Sequence, residues 1–185
     1  HMAEEYRTGQ TLNQLFRTAD LDTLQTMVRG LVVRLAEESR IPVDSFGVTG
    51  SILIGIHNPE FSDIDLVVYG VENSLKVRSA LMRLFQEEEG DIQKISGNLL
   101  KEWCSEKSSS YPVTYEEAWE LYRRKWNYGL YRGRVFSIHP VRLETEVKES
   151  YGDRVFRHKG IAEIVATISD TSEELFLPHV YGIED

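Results

Sequence analysis

The segment Ile64–Tyr69, IDLVVY, is the feature that most constrains the fold of this chain. Its apolar and largely β-branched residues are typical of a strand buried inside a sheet, and a glycine follows it directly. A second short strand is predicted at residues 46–49, immediately before Gly50-Ser51. Apolar residues recur at helical spacing over residues 20–39 and 74–86, so a helix is expected on each side of these two strands.

The second half of the chain begins with a change of pattern. Small polar residues at 106–112 (EKSSSYP) predict a linker. Thr114 and Glu117 then form a capping-box pattern, which starts a helix with an aromatic stripe. The stripe consists of Tyr115, Trp119, Tyr122 and Trp126. Short strands are predicted at residues 135–139, 155–158, 161–168 and 175–177. We therefore expect a core at residues 3–105 and a helix- and strand-rich C-terminal part at residues 112–185, which completes or flanks the active site.

The composition disfavours several classes of function. No apolar run approaches the ~20 residues that a membrane-spanning helix needs, so we expect a soluble, cytoplasmic protein without a membrane partner. The single cysteine, Cys104, excludes an internal disulfide and a cysteine-rich zinc site. The formal net charge of −9 makes duplex DNA an unfavourable partner. Small nucleotides, a protein substrate or a short RNA stay open.

Gly50-Ser51 and Asp63-Ile64-Asp65 together suggest a phosphate and metal site. A strand that ends in Gly-Ser and enters a helix directs backbone N–H groups and a hydroxyl at one point, where a phosphate can bind. Asp63 and Asp65 share one strand face, roughly 6–7 Å apart in backbone rise, and carboxylates are ligands that Mg²⁺ accepts. Either half alone is also compatible with a plain turn or an acidic strand end. Taken together, the two halves favour a site.

The two motifs resemble the signature of the DNA polymerase β-type nucleotidyltransferase superfamily. That signature runs here from Gly50-Ser51 through Gly55 and a short loop to Ser62-Asp63-Ile64-Asp65-Leu66. More narrowly, the phrases FGVTGSILIGIH, SDIDLVVYG and FLPHVYGIED are similar to predicted archaeal nucleotidyltransferases. The resemblance implies an α/β fold of the α+β type, with a mixed β-sheet flanked by helices. It also implies that Gly50 and Ser51 hold a nucleoside triphosphate, and that the catalytic residues Asp63 and Asp65 bind Mg²⁺ or Mn²⁺.

The same resemblance implies a third carboxylate on a later, neighbouring strand, and here the chain departs from the pattern. The strand expected to carry it, at residues 134–146, has Ser137 and His139 in its middle. Glu144, farther along, is our candidate for the third catalytic carboxylate. His139 is an alternative, as a general base that titrates near neutrality. A His-Pro turn without a chemical role is the third interpretation.

A basic and aromatic segment lies between Leu121 and Leu143, where no acidic residue occurs. Arg123 and Lys125 are the candidates for nucleotide binding through the triphosphate, and the interleaved aromatic rings are suited to stacking on a base. The alternative is a helix whose aromatic face packs inward and whose cations are solvated.

The residues and the resemblance together predict a Mg²⁺-dependent nucleotidyltransferase. Such an enzyme transfers a nucleoside monophosphate from a triphosphate to an acceptor hydroxyl and releases pyrophosphate. The acceptor is unidentified, and a small molecule, a protein or a short RNA fits the acidic composition. Two alternatives stay open: a nucleotide-binding regulatory module of the same fold with weak or no catalysis, and a toxin–antitoxin type transferase that acts on a protein partner.

Overall fold

The computed structural model of the protein describes residues 7–150, 152–153, 155, 157–161 and 163–184. The helices are α1 (Thr8–Arg17), α2 (Thr23–Ser39), α3 (Gly50–Leu53), α4 (Val71–Leu84), α5 (Gly97–Ser110) and α6 (Tyr115–Arg124), with short 3-10 turns at Val43–Ser45 and Glu144–Glu146. The strands are β1 (Phe46–Val48), β2 (Ile64–Tyr69), β3 (Ile92–Gln93), β4 (Tyr128–Tyr131), β5 (Arg134–Val141), β6 (Thr167–Glu173) and β7 (Val180–Glu184).

A five-stranded sheet in the order β1-β2-β5-β4-β3 forms the centre of the fold. Strands β2 and β5 run parallel, whereas the other neighbouring pairs are antiparallel. In the parallel pair, Asp65 lies opposite Ser137 and Val67 lies opposite His139. The expected α/β fold with a mixed sheet and flanking helices is therefore confirmed. The division at residues 105–112 stays a prediction, and the sheet takes β4 and β5 from the part beyond it.

The larger hydrophobic core joins α1, α2 and α4 to the sheet. Alternate residues of β2 and one stripe of α2 form its centre, namely Ile64, Leu66, Val68, Leu24, Val28, Leu31 and Leu35. Asp22 is the N-cap of α2. Its carboxylate accepts a hydrogen bond from the Gln25 N–H at 2.9 Å, and the Gln25 side chain accepts one from the Asp22 N–H at 3.2 Å. This capping box fixes where α2 starts.

A smaller core lies between α5, α6 and one end of the sheet. The predicted linker at residues 106–112 is wrong for most of its length, because α5 continues to Ser110. Two earlier residues of α5, Leu100 and Cys104, are buried in this smaller core. Tertiary packing thus stabilises a helix whose last turns have the composition of a linker.

The aromatic stripe divides between the two cores. The capping box at Thr114 and Glu117 is present, and α6 carries the first three aromatic residues of the stripe against the smaller core. Trp126 lies beyond the end of α6 and packs against the larger core instead. The stripe is therefore largely packing, as one of the two interpretations of this segment proposed.

The C-terminal strands differ from the prediction in their bounds. The strand expected at 135–139 is confirmed within β5, whereas the one at 161–168 overlaps only the start of β6. Residues 175–177 lie in the turn between β6 and β7, not in a strand. Residues 156 and 162 of the predicted strands are outside the described residues, and the described neighbours 155 and 157–158 are not in a strand. Within the described ranges, no helix combines the length and apolar character needed to cross a membrane.

Gly30, in the middle of α2, permits the burial of Tyr131. A Cβ at residue 30 would lie 2.7 Å from the Tyr131 hydroxyl oxygen, and Tyr131 is only 2% exposed. We expect Gly30→Ala to destabilise the protein by about 1–3 kcal/mol through overpacking. In a Tyr131→Phe background the clashing oxygen is gone, and the same change should gain up to about 1 kcal/mol from helix propensity. Urea unfolding of the four proteins tests this reversal of sign, and equal effects in both backgrounds would contradict it.

Candidate active site

The Gly50-Ser51 turn packs directly on Asp65. The Thr49 N–H donates to the backbone oxygen of Asp65 at 2.9 Å, which holds the end of β1 beside the start of β2. Gly50 has a φ of +61°, and a Cβ at that residue would lie 2.3 Å from the Asp65 Oδ2 atom. Only glycine fits this close approach without strain. The structure thus brings the two sequence motifs into one site.

Asp63 and Asp65 form a like-charged pair at the start of β2. Asp65 is a half-buried strand residue, and Asp63 lies immediately before the strand. Burial and then the charge of Asp65 raise the pKa of Asp63, and the Arg134 guanidinium acts in the opposite direction. A divalent cation would relieve the repulsion between these carboxylates. The two side chains therefore fit a hard cation, which takes one or two carboxylates together with substrate oxygens and water.

Ser137 and His139 of β5 complete the row beside Asp65. The Ser137 hydroxyl donates to the Asp65 Oδ1 atom at 2.5 Å, and His139 Nε2 lies 2.8 Å from the same hydroxyl oxygen. Ser137 is buried, whereas His139 is half-buried. The β5 residue opposite Asp65 thus carries a hydroxyl, and the residue two positions farther along β5 carries an imidazole. Both residues stand at the place in the sequence where a third carboxylate was expected.

Glu144 lies away from the two aspartates. It follows the end of β5 in an exposed 3-10 turn, seven residues beyond the partner of Asp65. Its neighbour Glu146 accepts hydrogen bonds from the Val71 N–H at 3.1 Å, at the start of α4. The turn is therefore placed at the opposite end of β2, and the structure does not bring Glu144 to the site. In the described part of the chain, no cluster of three His, Cys, Asp or Glu side chains is arranged to hold a metal.

The α3 helix that follows Gly50 is a single turn, Gly50–Leu53. Its macrodipole is correspondingly small, so phosphate binding there depends on individual N–H groups and the Ser51 hydroxyl. Ile52 is buried in the larger core, which explains the unusually apolar start of this helix. Leu53 and Ile54 are progressively more exposed, at the surface.

Lys125 and Arg123, the two predicted phosphate contacts, have different surroundings. The Lys125 ammonium lies 4.6 Å from the ring centre of Tyr122 and 5.0 Å from that of Tyr128. Tyr128 is the partner of Ser137 across β4 and β5, so it belongs to the same row as Asp65. Burial, and then the charge of Lys107, lower the pKa of Lys125.

Arg123 is an exposed residue of α6 whose guanidinium is bound to Glu120, at 2.6 and 2.8 Å. The Glu120 carboxylate holds the pKa of Arg123 above its usual value through a hydrogen bond and its charge. Neutralisation by this intrahelical partner leaves Arg123 a poorer phosphate contact than Lys125.

The loop between α3 and β2 is anchored by contacts that the sequence does not reveal. Arg134 donates to the backbone oxygens of Pro59 at 2.9 Å and Ser62 at 3.3 Å, directly before Asp63. His57 Nε2 lies 2.7 Å from the Asp22 carboxylate and is largely buried, not an exposed loop residue. These partners are 35–75 residues apart in the chain, so no local pattern could have predicted them. They fix the entry of the loop into β2.

Comparison with known proteins agrees with the motifs that meet at this site. The family model of the nucleotidyltransferase domain matches residues 28–125, just over half of the chain. An uncharacterized protein of Methanocaldococcus jannaschii is 31% identical over 150 residues, which cover 81% of this chain and 43% of that relative. The chain thus spans less than half the length of this relative, and no solved structure matches it. With the family model covering the Gly-Ser turn, both aspartates and Lys125, the chain belongs to the nucleotidyltransferase domain family.

Proposed function

We propose that this chain is an enzyme that transfers a nucleoside monophosphate from a nucleoside triphosphate to an acceptor hydroxyl, with Mg²⁺ or Mn²⁺ as cofactor. Membership of the nucleotidyltransferase domain family indicates the general reaction. The observation that carries the proposal for this chain is the contact between Gly50 and the Asp65 carboxylate. This contact supports the proposal, because the backbone at Gly50 would donate to a phosphate beside a carboxylate that would bind the cation.

Gly50 and Ser51 would hold the phosphates. The backbone at Gly50 carries no side chain, so a phosphate oxygen can approach its N–H group closely. The Ser51 hydroxyl adds a donor one residue farther along. Lys125 would contribute a positive charge from the Tyr128 side of the row, where burial strengthens its attraction for an anion.

Asp63 and Asp65 would hold the divalent cation. Bound there, the cation would neutralise phosphate charge and stabilise the charge that develops on the leaving pyrophosphate. Arg134 keeps the backbone before Asp63 in place through the Pro59 and Ser62 carbonyls. Because this backbone is anchored, the distance between the Asp63 and Asp65 carboxylates would be held fixed, and a cation that prefers octahedral coordination needs such fixed ligands.

The acceptor is proposed from charge and exposure. With a formal net charge of −9, the chain is better suited to a small molecule, a protein or a short RNA than to duplex DNA. Ile56 and Phe61, on the loop before Asp63, are 71% and 72% exposed. Their position offers apolar surface to an acceptor that approaches the aspartates from this side.

A second candidate function is a nucleotide-binding regulatory module with weak or no catalysis. The observation that favours it is the Ser137 hydroxyl beside Asp65, at the position where a third carboxylate was expected. Such a module would bind the triphosphate and the cation without releasing pyrophosphate. This candidate would be favoured over the transferase if the protein binds a nucleoside triphosphate but releases no pyrophosphate with any of the four nucleotides and a broad set of acceptors.

Removal of either aspartate tests the cation site. We expect Asp63→Asn and Asp65→Asn each to reduce the rate of pyrophosphate release by more than about 100-fold. Replacing a residue that only hydrogen-bonds to a metal ligand typically lowers activity about 10–100-fold, and replacing the ligand itself should lower it further. Asp44→Asn, at an exposed aspartate in the turn before β1, is the control and should leave the rate unchanged. The measurement is coupled detection of pyrophosphate with labelled ATP, CTP, GTP or UTP. Activity that persists in both variants would contradict the assignment.

Gly50→Ala tests the contact between the two motifs. The new Cβ would meet the Asp65 carboxylate, so we expect Mn²⁺ affinity and pyrophosphate release to fall together. Gly133→Ala is the matched control, because Gly133 also has a positive φ, of +82°, but nothing lies within 4 Å of its Cβ position. Backbone strain should cost each variant about 1 kcal/mol of unfolding free energy, and Gly50→Ala should lose more than Gly133→Ala because its Cβ also collides with the carboxylate. Only Gly50→Ala should lose Mn²⁺ binding, and equal Mn²⁺ affinities in the two variants would refute the role of this contact.

The two predicted phosphate contacts can be separated by substitution. We expect Lys125→Met to weaken triphosphate binding at least about 10-fold, because a hydrogen bond to a charged group contributes about 1.5–3 kcal/mol and about 1.4 kcal/mol is a factor of ten in affinity. Arg123→Met should have a much smaller effect, because Glu120 already neutralises the guanidinium. Isothermal titration calorimetry with a nonhydrolysable triphosphate measures both affinities. A larger loss for Arg123→Met than for Lys125→Met would reverse this assignment.

A further inference from the structure

We propose that this site holds one divalent cation and not a pair, because Ser137 and His139 occupy the place where a second cation would bind. The inference rests on the proposed nucleotide site at Gly50, Asp63 and Asp65. It concerns how many cations accompany the triphosphate, whichever acceptor the enzyme uses.

The two oxygens of the Asp65 carboxylate have different neighbours. Oδ2 faces the Gly50 turn, at 2.3 Å from the position a Cβ would take. Oδ1 accepts the Ser137 hydroxyl at 2.5 Å. Two cations held about 3.5–4 Å apart need a shared carboxylate that offers an oxygen to each of them. At Oδ1 a cation would have to share the oxygen with the Ser137 hydroxyl proton, whereas among the described residues the structure gives Oδ2 no such donor side chain.

The hydrogen-bond pattern also fixes the proton on His139. A serine hydroxyl has one proton to donate, and Ser137 donates it to Asp65. The contact of 2.8 Å between His139 Nε2 and the Ser137 oxygen must then be a bond donated by the imidazole N–H. The imidazole thus donates to the hydroxyl and the hydroxyl donates to the carboxylate, so the positive end of the Ser137 O–H dipole lies on the side of Oδ1. The Nε2 atom, carrying a proton, has no lone pair for a cation.

Among the residues that the structure describes, no third carboxylate joins Asp63 and Asp65 on this side. On the far side of Ser137 the partner in the sheet is Tyr128, whose pKa is raised by burial first and then by the charges of Tyr122 and Asp65. Glu144 stands at the other end of β2, as described above. A second cation would therefore have no carboxylate of its own. It would share Asp63 and Asp65 with the first cation and would meet the Ser137 hydroxyl proton at Oδ1, where a neutral hydroxyl offers a hard cation less than a third carboxylate would.

Mn²⁺ provides the test, because a close pair of these ions has a spin-coupled electron paramagnetic resonance spectrum. The wild-type protein is titrated with Mn²⁺ in the presence of the α,β-methylene analogues of ATP, CTP, GTP and UTP in turn. The expected result is one Mn²⁺ per chain with the hyperfine pattern of an isolated ion. Two Mn²⁺ per chain with a coupled spectrum would overturn the inference and leave the proposed function intact.

Ser137→Asp and Ser137→Asn form the matched pair of variants. Aspartate places a carboxylate beside Asp65 and should admit a second Mn²⁺, with the coupled spectrum. Asparagine has the same shape without the charge and should keep one. If the aspartate variant also keeps one Mn²⁺, Ser137 is not what limits the site, and the inference is wrong. Because Ser137 is buried, circular dichroism must first show that each variant is folded, and the wild-type result decides the inference if the aspartate variant is not.

The failure of the proposed function has a different signature. In that case the wild-type protein and Asp63→Asn would bind the analogues and Mn²⁺ equally poorly, and both conclusions would fall together. A coupled pair of Mn²⁺ ions in the wild type, lost in Asp63→Asn, would instead overturn only the single-cation inference.

Discussion

The parallel pairing of β2 with β5 is the constraint on which the site depends. It sets Asp65 beside Ser137 and Val67 beside His139, while the alternate residues Ile64 and Leu66 enter the larger core. A shift of this register by one residue would exchange the two faces of β2 and bury the aspartate. Burial of the apolar face thus determines which side chain of β5 meets the Asp65 carboxylate.

The same register explains why the site can combine several groups of opposite character. Burial, and then the repulsion by Asp65, raise the pKa of Asp63. Ser137 and Arg134 reduce this cost with a hydrogen bond and a nearby positive charge. The fold thus tolerates a pair of carboxylates whose charge is only partly compensated, next to the turn where we propose that a cation and a phosphate bind.

Much of this arrangement follows from local sequence patterns, and the rest depends on distant contacts. The buried strand Ile64–Tyr69 and the capping box at Asp22 have strong local patterns, so strand and helix could be predicted. The last turns of α5 could not be predicted, because that helix is stabilised by packing of Leu100 and Cys104 against residues of α6 and β4, which come later in the chain. The neighbours of Asp65 were unpredictable for the same reason, since residue spacing does not give the register between β2 and β5.

Ser137 and His139, which stand where a third carboxylate was expected, are outside the part of the chain that the family model matches. The nucleotidyltransferase domain model matches residues 28–125, which include Gly50, both aspartates and Lys125. Ser137 and His139 lie beyond that match, on a strand that the fold nevertheless inserts next to β2. The segment that carries the recognisable motif therefore supplies the Gly50 turn and the two aspartates that we propose as phosphate and cation ligands, while β5 supplies the groups around Asp65 Oδ1. A change confined to β5 could alter the number of cations without disturbing the motif, since Asp65 keeps its place against Gly50 through the β1–β2 pairing.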